Sequence, residues 1–210
     1  MKTIFFDNDG TLVDTEKLFF AATKTVLKEI GIDLTREWFI TESLKKNLSA
    51  WTLVEGASDA EIQSLRKKRN GIYSELLHSD LELLPGVRET LDHLHGKVQM
   101  AVVTMSMREH FELILEKTGI AHYFDFFIVN EDVEKEKPYP DAYLLALETA
   151  KQKPENCIVI EDTERGVIAA KAAGLTVYAI PNELSKDNDF SQANGVLNSF
   201  SEILNLEFTS

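Results

Sequence analysis

Five short apolar, β-prone runs punctuate this chain: residues 3–6 (TIFF), 98–104 (VQMAVVT), 126–129 (FFIV), 157–160 (CIVI) and 176–180 (TVYAI). None of them alternates apolar with polar residues. Continuous apolar runs of this length are what parallel strands need when helices cover both faces of a sheet. The intervening segments read as helices. One opens at Pro85-Gly86-Val87, runs through Leu91 and Leu94 and stops at Gly96. Another carries Phe111, Leu113, Ile114 and Leu115 and stops at Gly119. Residues 141–150 form a third, and residues 164–173, ended by Gly174, a fourth. Glycine just past a helix is a natural stop because it enters the left-handed conformation at little cost. From about residue 84 onward strand and helix therefore alternate. That pattern predicts an α/β fold with a Rossmann-like, doubly wound parallel sheet.

Residues 15–80 break the alternation and read as helix only, in stretches 16–30, 36–54 and 59–77. The last carries Ile62, Leu65, Ile72 and Leu76 as one apolar stripe. The expected organisation is a core of residues 1–14 and 82–210 with an all-α insert at 15–81. The tail, 191–210, offers a weak strand at Gly195-Val196-Leu197 and a short helix. There is no internal repeat. With 22 Lys+Arg against 35 Asp+Glu, the net charge over 210 residues is −13. Such a balance disfavours a nucleic-acid polymer or an anionic membrane as partner, since both need a basic surface. A lone Cys157 excludes a disulfide framework and a cysteine zinc site. No apolar run approaches the roughly 18 residues of a membrane helix, and the acidic turn at Asp7 comes too early for a secretory leader. A soluble, cytoplasmic protein is expected, with a monomer favoured and a dimer left open.

Chemistry gathers at the ends of the apolar runs. The first runs into Asp7-Asn8-Asp9-Gly10-Thr11, placing two carboxylates two residues apart on extended chain, where they repel unless a cation or shared proton compensates. Gly10 lets the chain turn directly afterwards. Taken alone, the pair could equally cap a turn. However, the second run ends in Thr104 and the fourth in Glu161-Asp162, while Lys137 opens a stiff Lys137-Pro138-Tyr139-Pro140-Asp141 loop. In an open α/β sheet these carboxyl ends line the ligand crevice. The set offers acids for a hard divalent cation such as magnesium, with an ammonium and a hydroxyl for an anion.

Read together, these motifs resemble those of the haloacid dehalogenase-superfamily hydrolases, in the branch with a helical cap inserted after the first strand. That branch includes small-molecule phosphatases and β-phosphoglucomutases. The resemblance rests on Asp7-Asn8-Asp9-Gly10-Thr11, Thr104, Lys137 and Glu161-Asp162 in that order, and on Leu84-Pro85-Gly86-Val87 and residues 166–174. It implies that Asp7 is the nucleophile, forming an aspartyl-phosphate, and Asp9 the general acid and then base. It further implies Mg2+ held by Asp7, the Asp9 carbonyl and Asp162, with Glu161 as ligand or orienter. Thr104 and Lys137 would grip the phosphoryl oxygens, helped by backbone N–H groups at Met105 and Ser106. The implied substrate is a small phosphorylated metabolite, such as a sugar phosphate or nucleotide.

Two departures separate this chain from the mutases. Phe19 stands where those enzymes carry a histidine, and Leu44-Lys45-Lys46-Asn47-Leu48 lacks their arginine-bearing, glycine-containing cap loop. A Mg2+-dependent phosphatase is therefore the first expectation, a mutase-like phosphotransferase the second, and a catalytically inactive binding module the third. Lys46 and Asn47 are candidates for substrate selection. Arg69 is another, because it falls in the apolar stripe between Leu65 and Ile72, where a charge is expensive; the alternative reading is that it snorkels to solvent. Trp38, Phe39 and Trp51 read as core of the insert, and Cys157 as core of a strand.

Overall fold

The structure is a computed structural model that describes residues 2–206. Met1 and residues 207–210, part of the expected core segments, lie outside the described residues. Six parallel strands form one sheet: β1 (Thr3–Phe6), β2 (Gln99–Val103), β3 (Phe126–Ile128), β4 (Cys157–Glu161), β5 (Thr176–Ala179) and β6 (Gly195–Val196). Their order is β3-β2-β1-β4-β5-β6, and every pairing is parallel. β1 is thus central, with Phe6 level with Val102 of β2 on one side and Ile160 of β4 on the other. The crossovers diverge from β1 in both directions, so its carboxyl end is the switch point of the sheet, where such folds open a crevice.

Both faces are covered. Ile4, Phe6, Met100 and Val102 join one cluster, with Leu91, Phe111 and Ile114 from α4 (Val87–Leu94) and α5 (Arg108–Thr118). Phe5, Ala101, Val103 and Val159 join the other, with Tyr143, Ala146 and Val167 from α6 (Asp141–Ala150) and α7 (Glu164–Ala172). The tail supplies β6 and a 3-10 turn, Phe200–Asn205, whose Phe200 stacks on Phe6 at 5.7 Å.

Between β1 and β2 the chain is helical: α1 (Glu16–Glu29), α2 (Arg36–Trp38) and α3 (Asp59–Asp80). Its exit and return lie side by side, with Asp14 N donating to Glu82 O at 3.2 Å and Leu84 N to Leu12 O at 3.0 Å. A small core of Val26, Leu27, Leu34, Phe39, Ala50 and Trp51 sits inside it. Ser58 caps α3, accepting from Glu61 N, while the Glu61 carboxylate accepts from Ser58 N. Two expectations are corrected here. The stretch 36–54 is not one helix. α2 widens into a π-helical turn, Phe39–Leu44, and the chain then breaks where Asn47 takes φ 57°, before a 3-10 turn at Ala50–Leu53. Asparagine tolerates the left-handed region better than other non-glycine residues. The stripe on α3 is also turned: Tyr73 and Leu77 are its buried residues, while Ile62, Leu65, Ile72 and Leu76 pack at the margin. Among the described residues, no helix is long and apolar enough to cross a membrane.

Candidate active site

β1 delivers Asp7 to the sheet edge, and Asp7 N continues the ladder by donating to Ile160 O at 2.9 Å. The chain then folds back tightly, Asn8 O accepting from the N–H groups of Thr11, Leu12 and Val13. Gly10 makes this possible at φ 82°. A Cβ there would lie 2.3 Å from Asp162 Oδ2 and 2.5 Å from Asn182 Nδ2, so only glycine lets the loop lie against Asp162.

Lys137 is the hub. The residue is only 4% exposed, and its ammonium donates to Asp7 Oδ1 at 2.7 Å, Glu161 Oε1 at 2.7 Å and Val103 O at 2.8 Å. Three donors meet three acceptors, which is what a buried ammonium needs to be satisfied. Glu161 Oε1 also accepts from Tyr143 at 2.8 Å, and its other oxygen from Thr163 Oγ1 at 3.2 Å. The carboxylate lies over the first turn of α7, where a Cβ on Gly166 would be 1.9 Å from it. Asp162 accepts from Asn182 Nδ2 at 2.8 Å and, at 3.5 Å, from Thr11.

Asp9 faces the other way and gathers hydroxyls. Thr15 donates to one oxygen at 2.6 Å; Thr104 and Ser106 donate to the other at 2.9 and 2.6 Å. Thr104 Oγ1 in turn accepts from Ser106 N at 3.0 Å. Asp7, Asp9, Thr104, Lys137, Glu161 and Asp162 are therefore brought to one place, as the sequence motifs required. Met105 borders the adjoining cleft.

Electrostatically the cluster is incomplete. Asp7, Glu161 and Asp162 each present an oxygen within 4.8 Å of the others, and all three are buried. Burial pushes the Asp7 carboxyl well up; Lys137 opposes this, while Glu161 and Asp9 add to it. Burial likewise raises Asp162, with Glu16 and Asp7 adding their repulsion. Glu16, which shares Asn182 with Asp162, is pushed up to about 7 by burial, with Asp9 and Asp14 adding to it. Lys137 moves upward although burial pulls it down, because Asp7 and Glu161 more than compensate. One ammonium cannot balance this many carboxylates. Oxygen donors held close together in excess negative charge fit a hard divalent cation.

Above the cluster a cleft of about 590 Å³ runs between the helical insert and the sheet edge, within the range of small-ligand sites. Asn47 and Arg69 line it. Lys46 does not: its ammonium is paired with Glu42 at 2.8 Å on the surface. The motif reading missed Tyr143, Asn182, Thr15 and Glu16. Asn182 had a signal, since it stands just past the apolar run at 176–180, at the same sheet edge. Tyr143 had none, being one aromatic in an apolar helix.

A switch-point site with clustered acids around a lysine, under an inserted helical segment, defines an α/β protein whose crevice suits a cation and an anionic ligand. Residues 4–180 match the model of the haloacid dehalogenase-like hydrolases. The chain belongs to that family. It is 30% identical to a phosphorylated carbohydrates phosphatase of Thermotoga maritima, over 98% of each chain. It is 31% identical to the fructose-1-phosphate phosphatase YqaB of Escherichia coli, covering 82% of this chain and 92% of that one. Its fold matches the crystal structure of CbbY from Rhodobacter sphaeroides in complex with phosphate, with a TM-score of 0.84, covering 97% and 96% at 24% identity.

Proposed function

We propose that this chain is a magnesium-dependent phosphatase of small phosphomonoesters that works through an aspartyl-phosphate on Asp7. The observation that carries the reading is the Lys137 bridge between Asp7 and Glu161, with Asp162 beside it and Asp9 near enough for its charge to raise the Asp7 carboxyl. Asp7, Asp162 and the Asp9 carbonyl would hold Mg2+, with Glu161 as a further ligand or orienter; the ion supplies the charge that lets an anionic nucleophile approach an anionic phosphate. An Asp7 oxygen forms a bond to phosphorus as the ester P–O bond breaks. Asp9 gives its proton to the departing alkoxide. Water then attacks the phosphorylated Asp7, gives its proton to Asp9 and releases inorganic phosphate, restoring both carboxyl groups. Lys137 holds Asp7 in place and its charge offsets the repulsion between Asp7 and the incoming phosphoryl group, and Thr104, already at Asp9, holds that carboxyl in place.

Residues 15–81 act as a cap over this site, hinged near 13–16 and 79–85. The cap reaches the core through Lys45, which donates to Asp187 O at 2.6 Å, and through Asn70 Nδ2, 3.9 Å from Met107 Sδ. Hydrolysis is favoured over mutase chemistry because Phe19 lies under Arg69 and offers no imidazole to the site. The test is phosphate release from para-nitrophenyl phosphate. D7N is expected to abolish it, and EDTA to stop it until Mg2+, but not Ca2+, is returned. Turnover that survives D7N would refute the covalent route.

A further inference from the structure

We propose that Asn182 is a positioning residue of the cation site: its amide holds Asp162 in the pose that receives the ion, and the loop it opens keeps that amide in place. This rests on the magnesium-dependent phosphatase reading and adds a residue from outside its motifs.

Asn182 stands just beyond β5, at the carboxyl edge of the sheet. Its Oδ1 accepts from Leu184 N at 2.7 Å and from Ser185 N at 3.1 Å. Backbone N–H groups only donate, so the amide has one orientation and its NH2 faces the acids. That NH2 meets Asp162 Oδ2 at 2.8 Å, Gly10 O at 3.2 Å and Glu16 Oε2 at 3.3 Å. Two hydrogens are shared among three acceptors, and Asp162 has the shortest contact.

One amide therefore ties the acid at the end of β4 to the turn after Asp9 and to the first residue of α1. Asp162 and Glu16 would repel each other without a donor between them. Each carboxylate oxygen carries two lone pairs, so an Asp162 held in this way can still bind an ion. A role in closing its own turn accounts for the two bonds to Asn182 Oδ1. It does not account for an NH2 aimed into a group of buried acids.

The loop that follows fixes the amide from several sides. Asn182 O accepts from Lys186 N at 2.9 Å, and Asn182 N donates to the Oγ of buried Ser185 at 3.0 Å. Asn188 N donates to Ser185 O at 2.9 Å, while Asn188 Oδ1 accepts from Glu164 N, at the start of α7, at 3.1 Å. Asp189 N then donates to Glu164 Oε2 at 3.2 Å. From the helical insert, Lys45 Nζ donates to Asp187 O at 2.6 Å. The loop thus grips Asp162 at one end and the chain just beyond Asp162 at the other. Groups that hold a metal ligand from outside typically change metal affinity or activity by about 10–100-fold when removed.

The experiment titrates Mg2+ into the full chain without substrate, by isothermal calorimetry, for the native protein, N182A, N182S and D162N, and records each melting temperature in EDTA. N182S keeps an oxygen for the turn but lacks the NH2, so it separates the two roles. N182A and N182S are both expected to raise the Mg2+ Kd by about 10-fold or more, N182S with a melt in EDTA close to native. With para-nitrophenyl phosphate, both should raise the Mg2+ concentration for half-maximal rate by a similar factor, while kcat at saturating Mg2+ falls far less. A native Mg2+ Kd in both variants, with D162N weakened, would overturn the inference and leave the phosphatase reading intact. So would a loss confined to the melting temperature or to kcat, which would give Asn182 a role in the turn alone. A native protein that binds no Mg2+ would overturn the magnesium reading itself, and this inference with it.

Discussion

Lys137 holds two carboxylates and a carbonyl at once, so removing its charge should do more than remove one contact. K137M is expected to lower kcat for para-nitrophenyl phosphate by roughly 10²–10³-fold, the range for loss of a preorganised charged donor. A steady-state assay reads this directly, and near-native kcat would remove Lys137 from the account. Gly166 is constrained by the same network. A methyl group there would lie 1.9 Å from the Glu161 carboxylate, so G166A should cost about 1–3 kcal/mol in stability and lower activity by displacing Glu161. Cys157 gives a pH test away from the site. Burial pushes its thiol from 9.0 up to about 11. Below pH 9 folded and unfolded chains both keep the proton; between 9 and 11 the unfolded chain releases it first, so stability falls as pH rises through that window. Thermal melts of the native protein should decline more steeply from pH 9 to 11 than those of C157A. At this scale the acids and Thr104 were legible because each stands where an apolar run stops, and Lys137 because two prolines follow it within three residues. Asn182 shares the first of these signals, standing just past the run at 176–180, whereas Tyr143 reaches the site from a helix whose sequence carries no such boundary.

The strands and the core helices are the elements a sequence expresses best, since each buries a continuous apolar run or a periodic face, and α5 and α7 also run into Gly119 and Gly174. The stretch 36–54 is different. Its apolar residues, Trp38, Phe39, Leu44 and Trp51, suit a helical insert, but which turn is π and where the chain breaks are settled by packing and by Asn47 in the left-handed region. α3 depends on its first turn. The reciprocal Ser58–Glu61 bonds satisfy backbone donors that a helix otherwise leaves open. S58A should lower the melting temperature by roughly 2–4 °C, and S58D should restore most of it. An unaltered S58A melt would mean that the cap start is not coupled to global unfolding.

Across the whole molecule, the proposed cation site among the buried acids would tie ion binding to stability. Asp7, Glu161 and Asp162 come from the ends of two strands on either side of one ladder, so an ion held among them links those strands in the folded state only. Saturating Mg2+ at about 100 times its Kd should contribute about 2.7 kcal/mol, or roughly 5–10 °C in melting temperature for a chain of this size. D162N should lose most of that shift. The placement of the cap above the sheet edge was legible only as an insertion point between the first strand and the rest. Its Lys45–Asp187 contact joins residues 142 positions apart, a distance over which no local pattern can register.

The most direct measurement is intact-protein and peptide mass spectrometry of enzyme acid-quenched during turnover of para-nitrophenyl phosphate with Mg2+, using D9N to slow breakdown of the intermediate. The account expects one added phosphoryl group on the peptide containing Asp7, absent without Mg2+ and absent in D7N. A phosphoryl group on a different residue, or native-level turnover by D7N, would contradict it.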